Sequence, residues 1–264
     1  MQSINLSDVL EQTKKAVQNA GEIIKRDRHR PMNIRHKGRI DLVTNTDLAV
    51  EQELKTSLKV ILPKADFLAE ETSAEVVPGA LTWIIDPLDG TTNFAHGFPF
   101  VATSVALWQN GHVVLGIVNV PILKELFWAE KGRGAFLNNK PIRVSETDKL
   151  DQALVATGFP YKIQEHVDQI LKELGQMLRH TQGIRRPGAA AIDLAYTACG
   201  RFDGFYEKAL KPWDTAAGWL LIHEAGGKVT QYDPQQEYVL GAETILASNG
   251  LLHQPMSNLL CDKA

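Results

Sequence analysis

The dipeptide Asn110-Gly111 separates two apolar runs, Val101 to Trp108 and Val113 to Val120. Asn and Gly both tolerate positive φ, which a tight two-residue hairpin requires at its central positions. Strands joined this way run antiparallel, so a purely parallel sheet of strand–helix–strand units is excluded. Neighbouring stretches have the same short, β-branched or aromatic character: Phe67-Leu68-Ala69, Trp83-Ile84-Ile85 and Leu126-Phe127-Trp128.

Helical periodicity brackets this strand-rich block. Leu6, Val9, Leu10, Thr13, Val17, Ala20, Ile23 and Ile24 form one stripe over Leu6 to Asp27, with Pro31 just beyond. A second helix is predicted from Asp47 to Leu62, with Val50, Leu54, Leu58 and Ile61 on one face and Pro63 as its stop. After Asp148 helices return. Val167, Ile170, Leu171, Leu174, Met177 and Leu178 mark one, Ala189 to Cys199 another, and Asp214 to Ala225 a third closed by Gly226-Gly227. Strands fit Gly204 to Tyr206, Lys228 to Gln231 and Ile245 to Ala247, with a short helix near the C-terminus. No repeat or linker interrupts residues 1–264, which read as a single α+β domain with an antiparallel component.

Composition narrows the function classes. Hydrophobic residues are 44% and charged residues 22% of the 264, enough for a sizeable core. Against 31 acidic residues stand 28 Lys and Arg, a formal charge of −3, so the charge does not indicate a nucleic acid or transcription partner. The two cysteines, Cys199 and Cys261, lack metal or redox spacing and suit a reducing compartment. The N-terminus lacks a signal pattern, and no apolar run is long enough to span a bilayer, so a cytoplasmic protein without membrane attachment is expected.

Chemistry concentrates in four acidic segments. In Trp83 to Phe94 an apolar strand delivers Asp86, Pro87 sets the next torsion, and Asp89 follows before Gly90-Thr91-Thr92. Two carboxylates beside a helix start suit a hard cation and a phosphate, although Asp-Gly is also common at plain turns. Glu70-Glu71 follows another apolar strand, where one acid can turn inward, and a solvated acidic loop is the competing reading. Thr44 and Asp47 match a capping box opening the second helix, and Asp47 can in addition accept a hydrogen bond from water. Asp214 in Pro212-Trp213-Asp214 is a natural helix N-cap or a metal ligand. Glu207 ends a strand, either to bond substrate hydroxyls or to face solvent. GxSxG and Walker A sequences are missing, His223-Glu224 lacks the second zinc-helix histidine, and Gly132-Arg133-Gly134 reads as a tight turn.

Taken together, the DPLDGTTNF stretch from Asp86 to Phe94, Glu70-Glu71, Pro212-Trp213-Asp214 and Asp41 to Asp47 resemble the inositol monophosphatase family, in matching order over nearly the whole chain. Val155 to Pro160 and Arg185-Arg186-Pro187-Gly188 give it a bacterial look. The resemblance implies a layered αβαβα sandwich, usually dimeric, holding two or three Mg²⁺ ions. Glu70, Asp86 and the Leu88 carbonyl would bind one ion, and Asp86, Asp89 and Asp214 a second. Asp47 and Thr91, with Glu70, would activate the attacking water. The N–H groups of Gly90 and Thr91 would hold phosphate oxygens. Asp89, Asp214 and Glu207, with the backbone of Gly188, Ala189 and Ala190, would bind the substrate. The implied reaction is lithium-sensitive, Mg²⁺-dependent hydrolysis of myo-inositol 1-phosphate and related small phosphorylated polyols, as a homodimer.

Other readings keep the fold and change the substrate to fructose 1,6-bisphosphate, NADP or phosphonucleotides, or assign the chain a regulatory role with an RNA or transcription partner. An aspartyl-phosphate phosphatase of the haloacid dehalogenase type fits poorly, because its DxDGT has one residue fewer between the acids.

Overall fold

The computed structural model describes residues 5–30, 34–36, 42–73, 77–160 and 163–261. Pro31 and Asp41 lie outside these residues. In chain order the elements are α1 (Leu6–Asp27), β1 (Ile34–His36), β2 (Leu42–Thr44), α2 (Asn45–Ile61), β3 (Asp66–Ala69), β4 (Leu81–Asp89) and α3 (Thr91–Ala95). There follow β5 (Ala102–Gln109), β6 (His112–Val120), β7 (Glu125–Glu130), β8 (Gly134–Leu137), β9 (Lys140–Ile142), β10 (Leu154–Thr157) and α4 (Val167–His180). The last are β11 (Gly183–Arg185), α5 (Ala190–Ala198), β12 (Gly204–Lys208), α6 (Pro212–Glu224), β13 (Lys228–Thr230), β14 (Thr244–Ser248) and α7 (His253–Leu260).

The expected αβαβα layering is what the chain adopts. A seven-stranded sheet has the order β3-β4-β5-β6-β7-β8-β9, and a five-stranded sheet the order β11-β10-β12-β14-β13. Helices α1 and α2 cover the outer face of the larger sheet, α5 and α6 lie between the sheets, and α4 and α7 pack on the far side of the smaller one. Three apolar cores alternate with these layers. Leu54, Trp83 and Ile117 belong to the outer one, Phe127, Leu194 and Leu221 to the middle one, and Met177, Leu246 and Met256 to the third.

Sequence patterns account for this placement. α1 buries Val9, Leu10, Val17, Ala20 and Ile24 and leaves most of its charges outside, Lys14 and Asp27 excepted, as an amphipathic surface helix does. α6 buries Ala216, Ala217, Leu220, Leu221 and Ile222, apolar all round because it has a sheet on each side. β4 is buried along both faces, which is why Trp83-Ile84-Ile85 shows no alternation. A Cβ on Gly116 of β6 would lie 2.8 Å from the Ala217 carbonyl oxygen of α6, so only glycine lets helix and strand meet backbone to backbone.

Asn110 and Gly111 adopt φ of 48° and 91°, and β5 pairs antiparallel with β6 across them. A second such hairpin turns on Asn138 and Asn139, φ 48° and 64°, between β8 and β9; sequence reading passed over it because both strands are short and β9 is largely exposed. β10 and β11 were likewise missed. They pair in parallel, which carries no local turn signature, and α4 forms the crossover between them.

Candidate active site

One local distortion brings the acids together. Between Asp86 and Asp89 the pairing advances three residues along β4 but two along β5, from Ser104 to Ala102. Residues three apart on a regular strand face opposite sides, and one extra residue returns both to the same side. Pro87 occupies this bulge, a position where its missing N–H breaks no ladder bond. The Thr103 hydroxyl donates to the Pro87 carbonyl at 3.0 Å and holds the bulge in place.

Asp86 is 1% exposed and accepts a hydrogen bond from the Leu88 N–H at 3.0 Å. Burial pushes its pKa well above the ordinary value, and the charges of Glu70, Asp89 and Asp214 push further the same way. Asp89 is raised to about 7 by burial, opposed by the N–H groups of Ala191 (2.8 Å), Ala190 and Ile192 in the first turn of α5. Asp214 is raised to about 7 by burial, opposed by the Lys211 N–H at 2.7 Å. It is the third residue of α6 rather than its cap: Lys211 is the N-cap and Pro212 opens the helix, since proline suits the position with no N–H partner. Glu70 follows β3, whose parallel pairing with β4 continues as Glu70 N–H to Ile85 carbonyl at 3.2 Å.

The expected capping box is present. The Thr44 N–H donates to Asp47 Oδ2 at 2.8 Å, and the Thr44 hydroxyl accepts from the Thr46 N–H at 3.1 Å. Asp47 is fully buried, its pKa raised by desolvation against these bonds. Its second oxygen, Oδ1, faces the Thr91 hydroxyl at 3.0 Å. The same hydroxyl is 3.0 Å from the Leu88 carbonyl oxygen. Gly90 turns the chain from β4 into α3 at φ 86°, and a Cβ there would also strike the Phe100 carbonyl oxygen at 2.9 Å.

A cleft of about 450 Å³ opens over Asp89, Gly90, Thr91 and Asp214. Glu207, from β12, lines it too and is buried, which removes the solvent-facing reading. Burial raises Glu207 to about 8, with Asp214 and Asp89 adding to the rise and Arg186 opposing it. Gly188, Ala189 and Ala190 all line the cleft, and the Ala190 N–H also bonds Asp89. Sequence reading missed two buried acids that bear on this site, Asp193 and Glu51. Asp193 of α5 lines the cleft at 1% exposure, hidden in sequence by the apolar helix around it. Glu51 of α2 receives the Glu71 N–H at 3.0 Å, the Thr72 hydroxyl and Lys55 at 2.9 Å, and so shapes the loop that carries Glu70.

These residues fit a cation. Asp86 has three repelling carboxylates near it, opposed by the Leu88 backbone N–H. Buried like charges of this kind are stabilised by a metal ion or by protons. Oxygen-only donors suit hard ions such as Mg²⁺. The acids lie near enough to raise one another's pKa, yet among the described residues no three acidic, histidine or cysteine side chains form a closed ligand set as they stand.

A two-sheet αβαβα fold with a bulged acidic strand end under an open cleft defines a class of phosphatases, and the comparisons resolve it further. The family model described as "Inositol monophosphatase family" matches residues 5–263, and the chain belongs to that family, whose members are enzymes. It is 46% identical over 225 residues to the inositol-1-monophosphatase of Caulobacter vibrioides, covering 84% of this chain and 88% of the relative. It is 43% identical over 253 residues to inositol monophosphatase 2 of Solanum lycopersicum, covering 93% and 95%. The crystal structure of the extragenic suppressor protein suhB from Bartonella henselae superposes with a TM-score of 0.91 at 38% identity, over 96% of this chain and 98% of that one.

Proposed function

We propose that this chain hydrolyses myo-inositol 1-phosphate and related polyol phosphates with Mg²⁺ as cofactor. The observation that carries the reading is the set of a buried Asp86 and half-buried Glu70, Asp89 and Asp214, whose charges repel one another beneath a cleft whose other wall bears Glu207. The names of the Caulobacter and Solanum relatives support inositol phosphate as the substrate.

Glu70, Asp86, Asp89, Asp214 and the Leu88 carbonyl are the proposed ligands. When bound, Mg²⁺ neutralises phosphate charge, acidifies a water and stabilises the leaving alkoxide. Asp47 and Thr91 do the proton work. Thr91 Oγ1 gives its proton to Asp47 Oδ1, so its lone pair faces the cleft and accepts a proton from the attacking water. The backbone N–H groups of Gly90 and Thr91 orient the phosphate. Glu207 accepts hydrogen bonds from hydroxyls of the alcohol, as do the Gly188 and Ala189 backbone groups. Direct attack by water needs no covalent enzyme intermediate.

Phosphate release from inositol 1-phosphate, fructose 1,6-bisphosphate, NADP and 3′-phosphoadenosine 5′-phosphate, with Mg²⁺ and with chelator, tests the reading. Inositol 1-phosphate is expected to lead, with chelator stopping turnover and lithium inhibiting it; another substrate in the lead would replace the substrate assignment. A cytoplasmic homodimer is proposed on the family resemblance; sedimentation at micromolar concentration tests the dimer. Among the described residues, no helix is long and apolar enough to cross a membrane.

A further inference from the structure

Asp193 has no part in the chemistry above, and its position is costly. It sits in the first turn of α5, among Ala190, Ala191, Ile192, Leu194 and Ala195, where an apolar side chain would pack without penalty. It is 1% exposed, and Oδ1 has no hydrogen-bond partner among the described residues. An unpaired buried acceptor destabilises the folded state, and one that persists points to a task outside folding.

The surroundings indicate the task. Asp193 lines the same cleft as Glu207 and Asp89, and the charges of both act on it. Arg186 attracts both Asp193 and Glu207, and its guanidinium lies over the Phe159 ring, 5.2 Å from the centroid. Two acceptors therefore border one space, on the side of the cleft away from β4. A phosphate dianion is repelled there. A neutral, hydroxyl-rich group brings O–H donors to both acceptors, of which Asp193 Oδ1 has no partner among the described residues.

We propose that Asp193 is a specificity-determining residue whose carboxyl oxygen, beside Glu207, accepts hydrogen bonds from hydroxyls of the alcohol half of the ester and so selects hydroxyl-rich leaving groups. This rests on the phosphomonoesterase reading above. A site built to bond a substrate hydroxyl rejects an analogue lacking it strongly, because water is expelled and the acceptor stays unpaired. The helix position adds precision: the turn of α5 that carries Asp193 is anchored through its first amides to Asp89, so the alcohol subsite and the proposed metal site share one rigid element.

The test compares kcat and KM for inositol 1-phosphate and for glycerol 2-phosphate, which has far fewer hydroxyls, in wild type, Asp193→Ala and Asp193→Asn at saturating Mg²⁺, with melting temperatures alongside. In Asp193→Ala the kcat/KM ratio of inositol 1-phosphate to glycerol 2-phosphate should fall about tenfold or more, mostly through KM for inositol 1-phosphate. Asp193→Asn keeps the shape and one acceptor and should lower the ratio less, by about threefold. Both should melt at or above the wild-type temperature, because an unpaired buried carboxyl is gone. A ratio unchanged in Asp193→Asn and in folded Asp193→Ala, with both esters weakened alike, would overturn the proposal. Should the alanine variant fail to fold, the asparagine ratio decides alone. A wild type that favours another hydroxyl-rich ester refutes the inositol assignment, and the Asp193 proposal is then judged on that ester's ratio. A wild type indifferent to hydroxyl content refutes the Asp193 proposal itself.

Discussion

Thr91 Oγ1 lies 3.0 Å from Asp47 Oδ1, joining a turn at the end of β4 to the first turn of α2. The Leu88 carbonyl is equally close, but a hydroxyl has one proton. If Asp47 takes it, the threonine oxygen is left to accept from water. Thr91→Ala and Asp47→Asn should each lower kcat by roughly 10²-fold or more with a smaller change in KM, and Thr91→Ser should recover most of the rate. Steady-state kinetics decide this; a KM effect alone would reduce the pair to substrate binding.

Glu51 should act on metal affinity from a distance. It holds the Glu71 N–H and the Thr72 hydroxyl, so its loss frees the segment that presents Glu70. Glu51→Gln is expected to weaken Mg²⁺ activation by about 10-fold, as removal of an outer-shell partner typically does. The rate at saturating Mg²⁺ should largely recover. A Mg²⁺ titration of activity distinguishes this from loss of a catalytic group, which saturation would not repair.

Without metal, the site should destabilise the fold as pH rises. Asp89 and Asp214 titrate at about 7 and Glu207 at about 8 in the folded protein, against ordinary values of 3.8 and 4.5. The folded chain thus holds protons that the unfolded chain has released, and stability falls as pH climbs through this range. His253 contributes the opposite slope at lower pH: burial pushes it down to about 4, so its neutral form favours the fold and that contribution is lost below its ordinary 6.5. Between about pH 6.5 and 8.5 in chelator, the melting temperature should fall by a few degrees. Mg²⁺, which binds the ionised carboxylates of the folded state, should reverse most of that fall. Asp86→Asn should raise the chelator melting temperature at the alkaline end and abolish both the Mg²⁺ effect and turnover. A profile in chelator that is flat or rises with pH would argue against the acidic cluster.

Gly158→Ala should disturb the alcohol side of the cleft only. A Cβ at Gly158 would fall 2.1 Å from Glu207 Oε2, so the carboxylate must move. The expected result is a KM for inositol 1-phosphate raised about tenfold, with Mg²⁺ activation close to wild type. Weakened Mg²⁺ activation would show that Glu207 and the metal site cannot be separated in this way.

Local order along the chain determined much of this protein. Asn110-Gly111 dictated an antiparallel hairpin, the stripe of α1 and the all-round apolarity of α6 dictated which helix is outer and which is inner, and Thr44 with Asp47 dictated a helix start. These are contacts within a few residues, where side-chain periodicity and capping act directly. The acidic motifs were legible for the same reason, each standing at the end of an apolar strand or the start of a helix. Tertiary structure alone decided the rest. Asp86 and Asp89 share a side because a bulge forms against β5, Asp89 meets amides of α5 a hundred residues away, and Glu51 and Asp193 become buried acids only when their helices pack. Burial, and with it the charge state of every acid in the site, depends on what other segments exclude from water, and no stretch of sequence carries that by itself.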